Sequence, residues 1–329
     1  MILAIESSCD ETAAALVDRD GNLRASVVAS QAQLHARYGG VVPEVASRRH
    51  LELCIPVVER ALEEAGAALD DVDAVAVTEG PGLIGALLVG LATAKALAFA
   101  RGLPLIPVDH LHGHIASLYL GPQPLEPPFL LLLASGGHTL LAEVDHREPG
   151  MRVIGQTLDD AAGEAFDKGA RLLGLGYPGG AALERLARDG DEAAHDFGVA
   201  MAGRPGFDFS FSGLKTALRN AVMASGGSDA ERADLAASYQ RAIVRSLVLR
   251  TMQAVDASGR ATLAVVGGVA ANGVLRGALE EACAEQGVEL ALAPLALCSD
   301  NAAMIASAAR YCRPVPFPEY LSRDAYATA

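Results

Sequence analysis

An internal duplication constrains this chain more than any other feature. Ile2 to Asp18 lies without gaps on Phe129 to Asp145, at a constant offset of 127 residues. Ile5 falls on Leu132, Ser8 on Ser135, Thr12 on Thr139 and Asp18 on Asp145. Both copies read as an apolar strand, a polar tight loop and a second strand, the pattern of a β-hairpin. The loops are Ser7-Ser8-Cys9-Asp10-Glu11 and Ser135-Gly136-Gly137-His138. A second pair of segments repeats at an offset of 190, with Val75 on Val265, Ala92 on Ala282, Pro104 on Pro294 and His110 on Asp300. Each copy there is a strand, a glycine-rich turn, a helix, another strand and a further helix. The offsets differ, so the second half carries an insertion of about 63 residues between its hairpin and its βαβ unit.

A hairpin followed by a βαβ unit, twice over, predicts an α/β protein of the actin-like ATPase (ASKHA) fold. That fold has two duplicated α/β domains around a central cleft, each sending a hairpin loop toward the phosphates of a nucleotide. The stretch Gly121-Pro122-Gln123-Pro124-Leu125-Glu126-Pro127-Pro128 cannot continue a helix, and it sets the boundary. Residues 1–125 are expected to form the N-terminal domain, and residues 126–329 the C-terminal domain with its insertion. A length of 329 residues suits two domains, and 51% apolar with 20% charged residues excludes disorder over most of it. Pro314, Pro316 and Pro318 predict an irregular tail.

Several function classes drop out early. The opening Met1-Ile2-Leu3-Ala4-Ile5-Glu6 has no basic leader and reads as a strand, not a signal peptide. The apolar run Leu83 to Ala100 holds Lys95 and follows a Gly-Pro-Gly turn, so a buried helix explains it better than a membrane span. Five scattered cysteines with no Cys-x-x-Cys pair point to a reducing, cytoplasmic setting and no thiolate metal cage. A net charge of −14 means that a polyanion must be held by a local basic patch, a metal or another subunit.

The sharpest chemical signal is Asp109-His110-Leu111-His112-Gly113-His114, after the strand Leu105 to Val108. His110 and His114 stand at i and i+4, so a helix presents both imidazoles from one face, where they can share a metal, while His112 points away. The alternative is a polar helix start. The duplication favours the metal, because it puts His110 and Asp300 at the carboxyl ends of equivalent strands, brought together across the cleft. Two imidazoles and one carboxylate with open positions suit a catalytic divalent ion such as Fe(2+) or Zn(2+). Asp300 could equally cap the helix Asn301 to Tyr311, and one residue can do both. A zinc peptidase would need glutamate after the first histidine, and Leu111 stands there.

Ser135-Gly136-Gly137 after the strand Phe129 to Leu133, and Gly267-Gly268 before a helix, allow backbone amides to approach a phosphate. Neither a Walker lysine nor a dinucleotide fingerprint follows the first strand. Within the insertion, Asp159 to Lys168 reads as an acid-rich helix start. Phe207 to Phe211 reads as half of a core-packed strand, and neither acquires a role from physics alone.

Together these motifs resemble the TsaD family of bacterial tRNA adenosine threonylcarbamoyltransferases, earlier described as O-sialoglycoprotein endopeptidases. The likeness runs through Glu6 to Thr12, Tyr38-Gly39-Gly40-Val41-Val42-Pro43-Glu44, Gly80 to Leu83, His110 to His114, Ser135 to Thr139, Asp159 to Lys168, Phe209 to Lys215, Gly267 to Asn272 and Ser299-Asp300-Asn301. It implies an actin-like fold and one metal ion, usually iron(II), on His110, His114 and Asp300. It implies that threonylcarbamoyl-AMP is held by Leu133, Ala134, Ser135, Gly136, Gly137, Asp167, Gly180 and Asn272. The threonylcarbamoyl group then passes to N6 of adenosine 37, in the anticodon loop of tRNAs reading codons that begin with A. The implied partners are TsaB, the ATPase TsaE, and a TsaC-type enzyme that makes the adenylate.

An exocyclic adenine amine is a poor nucleophile, and a carboxylate that takes its proton would help. Asp10 and Glu11 on the first hairpin loop are the candidates. Some positions depart from the family pattern: Ala181 for a proline, Ala302 for a glycine, His112 for a glutamate, and a tail of Ala325-Tyr326-Ala327-Thr328-Ala329 in place of Arg-x-Arg-Trp-Pro. The altered tail puts tRNA or partner contacts there in question. Arg37, Arg48, Arg49 and His50 make one local basic cluster, and Lys168, Arg171, Arg204, Lys215 and Arg219 are scattered through the insertion. The competing readings are an actin-like ATPase or small-molecule kinase, which would need Mg²⁺ on oxygen ligands, and a non-catalytic pairing subunit, which would lack the three ligands.

Overall fold

The computed structural model describes residues 1–121 and 123–328. Pro122 of the proline-rich stretch and Ala329 of the tail lie outside the described residues. Two compact units form: Met1–Glu126 with His146–Gly150 and the chain from Ser299 onward, and Pro127–Asp145 with Met151–Cys298.

In the first unit, β1 (Ile2–Glu6), β2 (Glu11–Val17) and β3 (Leu23–Ser30) run as an antiparallel meander. A short α1 (Ala32–Ala36) and a long α2 (Pro43–Ala65) follow. Proline at the first position starts α2 at no cost in hydrogen bonds, and Gly66, at φ 62°, ends it in a left-handed cap. β4 (Ala74–Gly80), α3 (Ile84–Arg101) and β5 (Leu105–Asp109) then make a parallel crossover, with α4 (His110–Ala116) directly after β5. β1 pairs antiparallel with β2 and parallel with β4, so the sheet order is β3-β2-β1-β4-β5. A strand covered on both faces should be apolar throughout, and Leu3, Ala4 and Ile5 are. Leu3, Ile5, Leu16, Val75, Val77 and Leu91 make the core. α3 is long and apolar enough to cross a membrane by length and composition, yet Ala86, Leu87, Gly90, Leu91, Ala94 and Ala98 are buried within the unit.

The second unit repeats the plan. β6 (Phe129–Ala134), β7 (Thr139–Val144) and β8 (Arg152–Gln156) form its meander. Next come α5 (Ala162–Leu172), α6 (Gly179–Ala187), α7 (Ser212–Ala224) and α8 (Asp229–Ser258), in the place held by α1 and α2 in the first unit. The crossover is β9 (Thr262–Val266), α9 (Gly273–Gln286) and β10 (Glu289–Leu292). Its sheet order, β8-β7-β6-β9-β10, reproduces that of the first unit position for position. Phe209 joins this unit through a single bridge to Thr157 rather than a full strand, with Phe209 and Phe211 buried and stacked.

The last helix, α10 (Ala302–Ala309), is buried along its whole length and packs on α4, β1 and β2 of the first unit. Its cap is Asn301, whose Oδ1 accepts from Met304 N at 2.9 Å. The capping role considered for Asp300 therefore belongs to its neighbour. Beyond it the chain is irregular, joined to β5 through Leu105 and Val315, and Tyr326 Oη donates to Asp109 Oδ2 at 2.6 Å.

Candidate metal centre

α4 begins abruptly because Asp109 caps it, accepting from His112 N at 3.0 Å. The i, i+4 spacing then stacks His110 and His114, whose ring centroids are 4.8 Å apart and edge to face. Ser299 and Asp300 lead into α10, and because α10 packs on α4 the Asp300 carboxylate reaches both rings. Its Oδ1 lies 3.6 Å from His110 Nε2 and 3.3 Å from His114 Nε2. One donor atom from each residue falls within 4.8 Å of the others, a span that a single ion can bridge. All three residues belong to the first unit. His112 turns elsewhere, with Nε2 2.9 Å from the Arg147 carbonyl.

Two observations test whether these residues fit a metal. Both nitrogens of His114 are buried and make no hydrogen bond; Nε2 faces Asp300 off the line of one. A buried ring with both nitrogens unsatisfied is costly unless something else ligates it. The second is Glu6, wholly buried at the end of β1. Its Oε2 is 3.1 Å from His110 Nδ1 and accepts from Thr78 Oγ1 at 2.7 Å, while Oε1 accepts from Ser8 N at 2.5 Å. With Nε2 turned to Asp300, His110 directs its other nitrogen to a carboxylate, the outer arrangement that orients metal-bound histidines. Burial disfavours charge on both groups, yet attraction outweighs it. Glu6 is held below the ordinary carboxylate range, and the carboxylates of Asp300 and Glu6 push His110 up to about 9. The donor set fits a divalent cation.

The first hairpin loop borders this centre. Asp10 is buried, and Glu11, at the start of β2, accepts from Ser30 Oγ at 2.9 Å. Burial, then the charges of Asp10 and Asp300, push the Glu11 carboxyl up to about 9. His50 does not join the basic cluster. It is buried, with Nδ1 2.8 Å from Thr12 Oγ1 and Nε2 3.0 Å from the Cys9 carbonyl, and burial holds its pKa down.

The second unit gathers the remaining candidates at the ends of its strands. Leu133 and Ala134 close β6 in the core, and Ser135 turns the chain, its N–H donating to the His138 carbonyl at 2.8 Å. Gly136 and Gly137 are exposed. Gly163, near the start of α5, donates to the Ser135 carbonyl at 3.1 Å, and the backbone of Gly267 passes so close to the Ala134 carbonyl that no Cβ would fit. Asp167 on α5 accepts from Gly179 N at 2.8 Å and so fixes the turn that carries Gly180. Asn272 caps α9 through Leu275 N at 2.9 Å and donates to Gln240 Oε1 at 2.9 Å. Asp159, one of the acids before α5, accepts from Ser210, Phe211 and Ser212, and Lys168 pairs with Asp160 and Glu164.

Glu6, with Thr78 and Ser8 hydrogen-bonded to it, supports His110 and was missed by sequence reasoning. Glu6 left one signal: an acid closing an otherwise apolar strand.

Known proteins resemble this chain over most of its length. The family model for "TsaD: tRNA N6-adenosine threonylcarbamoyltransferase" matches residues 22–307. A tRNA N6-adenosine threonylcarbamoyltransferase from Symbiobacterium thermophilum is 54% identical over 313 residues, which cover 94% of this chain and 91% of that protein. The protein of that name from Moorella thermoacetica is 51% identical over 325 residues, covering 98% and 93%. Among solved structures, full-length HypF in its phosphate- and nucleotide-bound form superposes with a TM-score of 0.64 at 15% identity, over 94% of this chain and 46% of that one. The activator of 2-hydroxyisocaproyl-CoA dehydratase from Clostridium difficile, with bound ADPNP, gives 0.53 at 16% identity over 94% and 92%. These two likenesses bear on the fold alone, which is of the actin-like type.

Proposed function

This chain belongs to the TsaD family of tRNA N6-adenosine threonylcarbamoyltransferases, and we propose that it works through a divalent metal on His110, His114 and Asp300. It transfers a threonylcarbamoyl group to N6 of adenosine in tRNA, forming t6A. The single observation that carries the metal assignment is the buried triad of donor atoms within 4.8 Å, backed by Glu6. Iron(II) suits two imidazoles and one carboxylate with open positions, and zinc(II) is the other fit. When bound, such an ion supplies Lewis acidity toward a carbonyl or phosphate oxygen.

The donor is threonylcarbamoyl-AMP, a mixed anhydride, and the acceptor is adenosine 37 of tRNAs reading codons that begin with A. Leu133 to Gly137, Asp167, Gly180 and Asn272 hold the adenylate, with the exposed amides of Gly136 and Gly137 available to phosphate oxygens. In the transfer, the bond from N6 to the carbamoyl carbon forms, the carbon–oxygen bond to phosphate breaks, and AMP leaves with the bonding pair. The N6 proton passes to a carboxylate, for which Glu11 and its neighbour Asp10 are the candidates. With the charges of Asp10 and Asp300 uncompensated, the Glu11 carboxyl is pushed up to about 9 and keeps its own proton at neutral pH, so it accepts another group's proton only when a cation at the triad offsets those charges. TsaB and TsaE are the partners, and a TsaC-type enzyme is the adenylate source. The apolar side chains Leu51 and Ile55 on α2 and Leu88 on α3, exposed in the single chain, support pairing with another subunit. A cytoplasmic location follows from five free thiols.

The test is transfer from labelled threonylcarbamoyl-AMP to unmodified tRNA, with partners present and metal content measured on the same samples. Wild type should modify adenosine 37, and His110→Ala/His114→Ala should lose metal and transfer together. Full transfer by the metal-free variant would refute the assignment.

A further inference from the structure

The first unit carries a hollow of about 530 Å³ that the reaction site does not use. Ser30 and Gln31 line it at the end of β3, Arg37 follows α1, and Arg48 and Arg49 come from the second turn of α2. Three arginines thus line one concavity, against a single acid, Glu52, which pairs with Arg49. Arg19, Arg60 and Arg323 of this unit are each paired, with Asp73, with Glu63 and Glu64, and with Glu79. Among the described residues, the side chains of Arg37 and Arg48 make no ion pair or hydrogen bond. In a chain of net charge −14, two uncompensated arginines gathered in one hollow favour an anion there.

Two features say which anion. Tyr38, next to Arg37, is 58% exposed, an aromatic face beside a cation, as single-stranded RNA binders present to bases and backbone. The floor of the hollow is also tied to the proposed proton acceptor. Ser30 Oγ donates to Glu11 Oε1 at 2.9 Å, and Gln31 N donates to the Asp10 carbonyl at 2.9 Å. A strand seated against Ser30 and Gln31 therefore runs within one residue of the Asp10–Glu11 loop.

We propose that this hollow binds the ribose–phosphate backbone of the tRNA anticodon loop beside the target adenosine, with Arg37 and Arg48 on phosphates and Tyr38 available for stacking. The placement beside the target rests on the assignment of proton transfer to the Asp10–Glu11 loop. It also reconciles an acidic chain with a polyanionic substrate, because phosphate recognition is local.

The experiment measures binding of a labelled anticodon stem-loop to the chain with its partners, from low to physiological salt. Arg37→Gln/Arg48→Gln is compared with wild type and with Arg37→Lys/Arg48→Lys. Both positions are exposed, and melting temperature checks the fold. The glutamine pair should weaken binding on the order of tenfold, and the slope of log affinity against log salt should fall by roughly 1.4, about 0.7 for each single-strand phosphate no longer neutralised. The KM for tRNA should rise while that for the adenylate stays, and the lysine pair should keep the wild-type salt slope. An unchanged affinity and slope in the glutamine pair would overturn the proposal. Glu11→Gln, assayed in parallel, separates the two assignments. If it keeps full transfer while the arginine variants lose tRNA affinity, the hollow stands, and the proton acceptor and the placement beside the target fall.

Discussion

Replacing Glu6 by glutamine isolates the outer support of the metal centre. The two side chains have the same shape, and Glu6 is wholly buried, so packing is preserved. The hydrogen bonds are not. Ser8 N donates to Oε1 at 2.5 Å, while Thr78 Oγ1 donates to Oε2 at 2.7 Å and His110 Nδ1 sits 3.1 Å from the same oxygen. A glutamine must place its NH₂ at one of these two positions. If it faces Ser8, two N–H groups oppose each other. If it faces His110, the ring N–H is opposed instead. Either way at least one buried donor goes unsatisfied, at about 1 to 3 kcal/mol each, and the charge that holds the ring is gone. Loss of an outer partner of this kind lowers metal affinity about 10- to 100-fold, or about 1.4 to 2.8 kcal/mol, in line with the cost of that unsatisfied donor. Competition with a chromophoric chelator, read on Glu6→Gln and wild type loaded with iron(II) or zinc(II), measures it without reference to activity. Affinity within about twofold of wild type, in a variant that melts at the same temperature, would show that Glu6 does not orient His110.

Three further outcomes are expected. Gly163→Ala places a Cβ 2.6 Å from the Ser135 carbonyl oxygen and 2.8 Å from Gly136 Cα, so only the Ser135–Gly136 backbone can yield. Stability should fall by about 1 to 3 kcal/mol and the Kd for the adenylate should rise; unchanged values of both would contradict the close approach. Arg250, buried on α8, donates to the carbonyls of Met201, Arg204 and Gly206, and Arg250→Met should cost about 1.5 to 3 kcal/mol in urea unfolding and speed amide exchange around residues 201–206. Asp159 is pushed up by partial burial, but hydrogen bonds from Ser210, Ser212 and Phe211 outweigh this and lower its pKa. Its contribution is present above the unfolded value near 3.8 and is lost as pH falls through the lower folded one. Asp159→Asn should therefore destabilise at neutral pH and make progressively less difference below about pH 4, and a gap that stays constant with pH would rule out the charged acceptor.

The duplication was legible because a covered strand must be apolar and a hairpin loop polar, and those demands leave the same stripe at Ile2–Glu6 and Phe129–Ala134. The histidine pair was legible for a similarly local reason, one turn of helix. Glu6 was not, since its meaning comes from Thr78 and His110, 72 and 104 residues away. His50 is a different kind of miss. Its neighbours Arg48 and Arg49 suggest surface, but in α2 the buried positions run Ala46, His50, Cys54, Val57, Val58, Ala61, a helical stripe that includes it. The period was present in the sequence, and adjacency to two arginines hid it.

A net charge of −14 is a sum over the surface, and neither half of the chemistry depends on that sum. Glu6 and Asp300 converge on two buried imidazoles, where little water screens them, so this small region favours a cation whatever the rest of the chain carries. Arg37 and Arg48 stand in the open with no acid bound to either, so their hollow calls for an anion. Two hydrogen bonds join the hollow to the first hairpin loop, from Ser30 Oγ to Glu11 and from Gln31 N to the Asp10 carbonyl. If the hollow holds a phosphate backbone as proposed, those two bonds tie strand binding to the loop that borders the candidate metal centre, so that seating the strand also positions the base.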